Sequence, residues 1–339
     1  MTYYAGIDVS LEQSSVCIVD GDGRTVREGT VLSEPEALIL WFRELGLGVE
    51  RIGLEAGPLS QWLYAAMRGA QLKAELIETR HVRTAFKIMP VKTDRKDARG
   101  IAQLMRLGWF RPVHCKTVAA QEMRAELTAR KLMQINLHRT DMSLRGILRN
   151  FGLKVGKVSK GKFEARIREL VEGNPTLERV AEAMLCARRA LAKELAGLEK
   201  HIRAIARDDN RARLLMTAPG VGTITALSYV AAIDEPGRFR SSRTVGAHFG
   251  LTPRRYKSGE TDRSGHISKI GDASVRCALY EAANVILSRS SKSSALKDWA
   301  KKISRRKGAK SARIALARKL AVILHRMWVD GTPFRAQPV

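Results

Sequence analysis

Four carboxylates stand where chemistry could use them. Asp8 closes the apolar run YYAGID, Glu55 closes RIGLE, and Asp94 and Asp97 lie three apart in KTDRKDA. Residues at i and i+3 share one helix face. Two strand-borne and two helix-borne acids can converge on one or two Mg²⁺ ions, which take hard oxygen ligands and polarise phosphodiesters. Each acid alone has a plainer reading. An Asp at a strand end is usually a turn residue, and a DxxD at a helix start usually caps the helix and matches its dipole. The order D, E, D-x-x-D carries the chemical reading, together with the cost of an acidic cluster in a very basic chain.

Lys and Arg number 60 against 34 Asp and Glu, a formal net charge of +26. Such an excess repels itself in the compact state. A polyanion that neutralises it gains affinity through phosphate contacts and counterion release. With 45% hydrophobic residues over 339 positions, the chain is globular and long enough for two or three domains. No apolar run approaches the roughly 20 residues that span a bilayer. MTYYAGIDVS lacks the basic and apolar regions of a signal peptide. The expectation is a cytoplasmic protein with no membrane partner. Cys17, Cys115, Cys186 and Cys277 are far apart and form no CxxC pair, and the seven histidines show no HExxH, so neither a disulfide framework nor a zinc site is expected.

The elements that must position the acids follow from periodicity. Residues 3–9, 14–20 and RTVREGTVL read as strands, with a turn at Gly21–Gly23. Residues 35–46 have helical spacing; 51–56 is a strand, QWLYAAMRGAQ a helix, 73–79 a strand and 95–108 a helix closed by Gly108. Three strands, helix, strand, helix, strand, helix is the RNase H-like order, a mixed sheet covered by helices. Residues 119–149 predict one long helix, and 151–163 a basic, glycine-punctuated turn. From Leu177 the apolar positions Val180, Met184, Ala187, Leu191, Leu195, Leu198, Ile202 and Ile205 follow a heptad seam with one stutter. An internal antiparallel helix pair and an oligomerisation arm are equally compatible with that seam.

Farther on, LLMTAPGVGTITALSYVAAI reads as helix, PGVG turn, helix, similar to a helix-hairpin-helix. Backbone N–H groups near Gly220 and Gly222 could hold a phosphate, and a plain structural turn is the alternative. The polar, Gly-rich stretch 252–272 is crowded with cations: Arg254, Arg255, Lys257, Arg263 and Lys269. Such a loop attracts a phosphate and stabilises developing charge; a solvated basic loop is the plainer reading. Its serines Ser258, Ser264 and Ser268 are not distinguished by the sequence itself. Residues 296–329 form a basic helical region.

The runs YAGIDVS, IGLEAGP, MPVKTDRKDARGIAQLM, LRNFGLKVG, APGVG and FGLTPRRYKSG with DRSGHISKIGD together resemble the DEDD transposases of the bacterial insertion-sequence "one-ten" family, in its "one-one-one-one" branch, relatives of the Piv DNA invertase. The resemblance spans essentially the whole chain. It implies an α/β RNase H-like (RuvC-like) domain over 1–115, a helical coiled-coil insertion over 116–208, and a mostly α-helical transposase domain over 209–339 with the helix-hairpin-helix-like motif. It implies that the family's acids fall on Asp8, Glu55, Asp94 and Asp97, with Mg²⁺ or Mn²⁺ as cofactor. It places the family's serine nucleophile on Ser258 in YKSGE. It further implies DNA element ends and target as partners, a noncoding bridge RNA as guide, as in similar RNA-guided recombinases, and a dimer or tetramer.

Other functions compete with this expectation. A Mg²⁺-dependent hydrolase of Holliday-junction type would need the acids and no serine, and a non-catalytic nucleic-acid binder would tolerate loss of every acid. GIDVS also resembles the first phosphate loop of actin-like and sugar-kinase ATPases, but no second glycine-rich loop follows and the charge is wrong for that class. A free serine hydroxyl is a weak nucleophile. The sequence around Ser258 supplies no base except His266, eight residues on, so a site composed of the acids and Ser258 is expected.

Overall fold

The computed structural model describes residues 1–86, 93–289 and 294–335. Residues 89–92 of the MPVKTD run lie outside them. Contacts divide the chain into two compact units, Met1–Lys116 and Thr117–Val339.

In the first unit the elements run β1 (Tyr3–Asp8), β2 (Gln13–Val19), β3 (Thr25–Leu32), α1 (Pro35–Glu44), β4 (Val49–Glu55), α2 (Ser60–Gly69), β5 (Ala74–Ile77), α3 (Thr79–Phe86) and α4 (Asp94–Leu107). The sheet order is β3-β2-β1-β4-β5. β1, β2 and β3 pair antiparallel, while β1–β4 and β4–β5 pair parallel. This is the RNase H-like arrangement that the element order predicts; α3 is a helix the periodicity does not announce.

The two faces of the sheet are filled differently. Ala5, Ile7, Ile52 and Leu54 pack with Leu38 and Phe42 of α1 and Leu63 and Met67 of α2. The opposite face belongs to α4. A Cβ at Gly6 would lie 2.2 Å from the Ala98 carbonyl oxygen, and one at Gly53 would lie 2.8 Å from Ile101. Only glycine lets the helix backbone come this close. Thr93 caps α4 by accepting from the Lys96 N–H, and Gly108 closes it in the left-handed region at φ 63°.

The second unit contains α5 (Val118–Asn150), α6 (Phe163–Val171), α7 (Pro175–Asp208), α8 (Asn210–Met216), α9 (Thr223–Ile233), α10 (Val245–His248), β6 (Pro253–Ser258), β7 (Thr261–Ile267), α11 (Ala273–Ser288) and α12 (Ala295–Asp330). α5 and α7 pair antiparallel within the chain: Arg130 meets Glu199 and Asp141 meets Arg188. The seam is rotated from the expected one over its first turns. Val180 and Ala187 are exposed, and Ala181, Leu185 and Arg188 face inward. Arg188 is retained there because Asp141 and Glu164 accept from it and the Phe163 ring stacks on it. α9 is buried from Thr225 to Ile233 and anchors the main core with Phe249, Leu279 and Leu320. That explains its nearly all-apolar sequence.

Candidate active site and nucleic-acid interface

Strand alternation decides which way the acids face. Side chains two apart share a face, so Asp8 lies on the side of Gly6 and Glu55 on the side of Gly53. Both are on the face that α4 covers. Ile7 pairs with Leu54 in the parallel β1–β4 ladder, which sets Asp8 and Glu55 side by side at the carboxyl ends of the strands. α4 runs back along the sheet, since its Met105 carbonyl near the C-terminal end accepts from Arg51 early in β4. Its first turn therefore lies at the edge where β1 and β4 end. Asp97 precedes Ile101 and Met105 on the sheet-facing stripe and is only 8% exposed; Asp94 is exposed one turn earlier. Arg95 engages Glu28 of β3.

The backbone thus brings Asp8, Glu55 and the DxxD turn to one edge. Among the described residues no three His, Cys, Asp or Glu side chains are gathered closely enough to hold an ion. In kind, the donor set of carboxylate oxygens fits a hard divalent cation. Cys17, on the α4-covered face, is buried, and burial followed by the neighbouring Glu28 carboxylate raises its pKa to about 11, so it stays a neutral thiol.

The polar stretch 252–272, expected as a loop, is a β-hairpin. β6 and β7 pair antiparallel with Ser258 opposite Thr261 and Gly259 in the turn at φ 54°. β-branched and aromatic content is low, so the strand signal is weak. Cross-strand partners share a face. Ser258, Thr261, Tyr256 and Arg263 lie on one side, and Lys257, Asp262, Arg255 and Ser264 on the other. Arg255 is engaged by Asp262, so one of the expected phosphate-binding cations already has a partner. Arg254 donates to the Ser268 carbonyl, and Lys269 holds a left-handed backbone at φ 55°. His266 lies five residues beyond Thr261 along β7, roughly 16 Å at about 3.3 Å per residue. Within the hairpin it is out of reach of Ser258.

Gly220 and Gly222 part company. A Cβ at Gly220 would strike the Ala282 carbonyl oxygen at 2.5 Å, so this glycine lets the turn press against α11. Gly222 is the N-cap of α9, with open space around it. Of the two, Gly222 has the room that phosphate binding requires.

Sequence reasoning missed two features. Tyr256, 62% exposed, shares the face of Ser258. Ser242 donates to His325 Nδ1 at 2.9 Å, and His325 Nε2 donates to the Pro236 carbonyl at 3.1 Å, a pair that needs three distant segments. Burial, and then the nearby Arg238, hold the His325 pKa below its ordinary value. A readable signal did exist for the acids. Both strands spell Gly-x-acid, GID and GLE, with the glycine marking the face a helix must approach.

Two family models match successive parts of the chain. A DEDD transposase model of the IS110 type covers residues 5–152, and the model described as "Transposase IS116/IS110/IS902 family" covers residues 212–300. The chain is 27% identical to the transposase for insertion sequence element IS1111A of Coxiella burnetii, over 97% of this chain and 90% of that one. It is 29% identical to the transposase for element IS1328 of Yersinia enterocolitica, over 72% and 73%. It is 31% identical to the pilin gene-inverting protein of Moraxella bovis, over 37% and 39%. The structure of T. thermophilus RuvC in complex with Holliday junction substrate overlaps 33% of this chain and all of that one at 15% identity, with a TM-score of 0.27. The RNase H-like assignment stands on the strand order rather than on that overlap. Enzymes with this acidic set depend on a divalent metal ion. With a DEDD model on the unit that carries the four acids and a transposase model on the unit that carries the hairpin, the chain belongs to the IS110 family of DEDD transposases.

Proposed function

We propose that this protein cuts and rejoins the DNA of an insertion sequence, using Asp8, Glu55, Asp94 and Asp97 to hold divalent metal and Ser258 as nucleophile. The observation that carries the reading is the placement of Asp8 and Glu55 on the α4-covered face, at the edge where the helix starts with its own acidic pair. Bound there, Mg²⁺ or Mn²⁺ would supply Lewis acidity at the scissile phosphodiester. The chain's residues do the rest. The acids fix the donor set, the cations of the hairpin hold the phosphate backbone, and the Ser258 hydroxyl attacks phosphorus. In that step the serine O–P bond forms and the bond from phosphorus to a sugar oxygen breaks. The serine proton is released and the departing hydroxyl takes one up. The phosphoserine ester conserves the bond energy, so rejoining needs no nucleotide cofactor.

The charge of +26 fits nucleic acid as the partner. We extend the reading to a noncoding guide RNA, a homo-oligomer that holds two DNA segments, a cytoplasmic setting, and a labour divided among 1–115, 116–208 and 209–339. The test is strand cleavage of element-end DNA in Mg²⁺. Asp8→Asn is expected to lower the rate at least about a thousandfold while DNA binding is kept. Titration calorimetry of Mn²⁺ should lose its binding signal in the same variant. Unchanged cleavage by Asp8→Asn would overturn the metal site. Sequencing of RNA that co-purifies should give one discrete species; random fragments would remove the guide.

A further inference from the structure

Between β7 and α12 lies a cavity of about 790 Å³, within the roughly 300–1,000 Å³ of ligand pockets. It belongs wholly to the second unit. One wall is β7 from Ser264 to Ile267. The other comes from both halves of α12, which is broken at Gly308, where φ is 83° and ψ is 161°. The floor is apolar, formed by Trp299, Ile303, Ile314 and Val322. The rim carries Arg306, Lys307, Arg318 and Lys319, and no Asp or Glu stands among the lining residues described. Lys319 Nζ sits 4.4 Å from the centre of the Trp299 ring, joining cation to aromatic surface.

An apolar slot with a tryptophan in its floor and four cations at its rim fits a flat, weakly polar ring attached to a phosphate. That is a nucleotide. A base inside a duplex keeps both faces in the stack and cannot enter, so the occupant must be unpaired. Position narrows it further. Ser264 pairs with Arg255, three residues from Ser258 along the hairpin. That is roughly 10 Å, about three steps along a B-form strand at 3.4 Å each. We propose that this groove captures an unpaired deoxynucleotide of the DNA strand beside the cut, its base against Trp299, Ile303 and Ile314 and its phosphate on Arg306 and Arg318. The proposal takes its position from the reading of Ser258 as nucleophile; the binding itself does not depend on that chemistry. Opening of the duplex at the cut would then be held by protein as well as by any pairing to a guide.

The test uses the full-length protein and a short oligothymidylate carrying one 5-iododeoxyuridine. Near-ultraviolet crosslinking followed by peptide mass mapping is expected to find the base on Trp299 or on the 264–267 segment. Arg306→Glu with Lys307→Glu, both exposed, should weaken single-strand binding at least tenfold and duplex binding less than threefold. Trp299→Phe should keep most of the single-strand affinity, and Trp299→Ala should lose it with an unchanged melting temperature of the Phe variant as the folding control. Crosslinks confined to other segments, equal losses on duplex and single strand, or tighter binding of the matching ribo-oligonucleotide would each overturn the proposal. Ser258→Ala separates the two ideas. It should leave the crosslink in place, so a groove that binds while no serine chemistry is found speaks against the nucleophile and not against the groove.

Discussion

The acidic edge and the serine hairpin are built on opposite principles. Asp8, Glu55 and Asp97 are set by a buried sheet and a helix pressed onto it through two glycines, with would-be Cβ contacts of 2.2 and 2.8 Å. Ser258 sits at the end of β6, a strand exposed along its whole length. Only the root of the hairpin is held. There Arg276 donates to the carbonyls of Phe249, Ile270 and Gly271, and Gly250 and Gly271 leave no room for a side chain. The packed core fixes the backbone that carries the acids, as the metal site proposed for them requires. The nucleophile proposed at Ser258 would ride on an arm with a firm root and an exposed tip.

Substituting glycines breaks the comparison most sharply. Gly6→Ala drives a methyl into the α4 backbone, and overpacking of this kind costs about 1–3 kcal/mol. It should lower the melting temperature of the first unit and displace the acids, so cleavage falls with stability. Gly259→Ala meets open space and costs only the left-handed backbone, about 1 kcal/mol. Calorimetry of both variants should show the large loss only for Gly6→Ala.

Acid titration sharpens the contrast between cores. His325 is 2% exposed and its pKa is depressed by burial. Below the ordinary histidine value of about 6.5, the unfolded chain therefore binds the proton more readily than the folded one. The contribution is fully present above that pH and is lost as pH falls toward the depressed value. The second unit should lose stability on acidification through pH 6.5 in denaturant titrations. His325→Gln should flatten that dependence, and an equally steep slope in the variant would refute the assignment.

The smallest effect is expected at the hairpin surface. Asp262→Asn releases Arg255, and hydrogen bonding to Asp262 is what raises the Arg255 pKa. Both groups are exposed, so stability should not change. DNA affinity should rise a few fold and its salt dependence steepen by about one phosphate contact.

The two regions also differed in how openly the sequence announced them. The strands, α4 and its stop at Gly108 were legible because apolar periodicity and caps are local signals. The acids were legible as a set through their order, D, E, D-x-x-D. The hairpin was not, because PRRYKS and TDRSGHI are almost wholly polar and stay exposed up to Ile267 at the root. The rotated seam of α7 was hidden by Arg188, a charge that reads as surface until Asp141, Glu164 and Phe163 converge on it. The Ser242–His325 pair joins segments more than eighty residues apart, and no spacing rule reaches that far.

The union of the two regions in one reaction is tested most directly by trapping its intermediate. Protein is incubated with element-end DNA and divalent metal, denatured, and resolved by electrophoresis to reveal covalent protein–DNA species. The wild type should form an adduct that maps by mass spectrometry to the peptide containing Ser258. Ser258→Ala should form none while still binding DNA, and Asp8→Asn should form none although its serine is intact. An adduct that persists in Ser258→Ala, or cleavage at the wild-type rate with no adduct at all, would contradict the serine mechanism and leave a hydrolase that works through the acids alone.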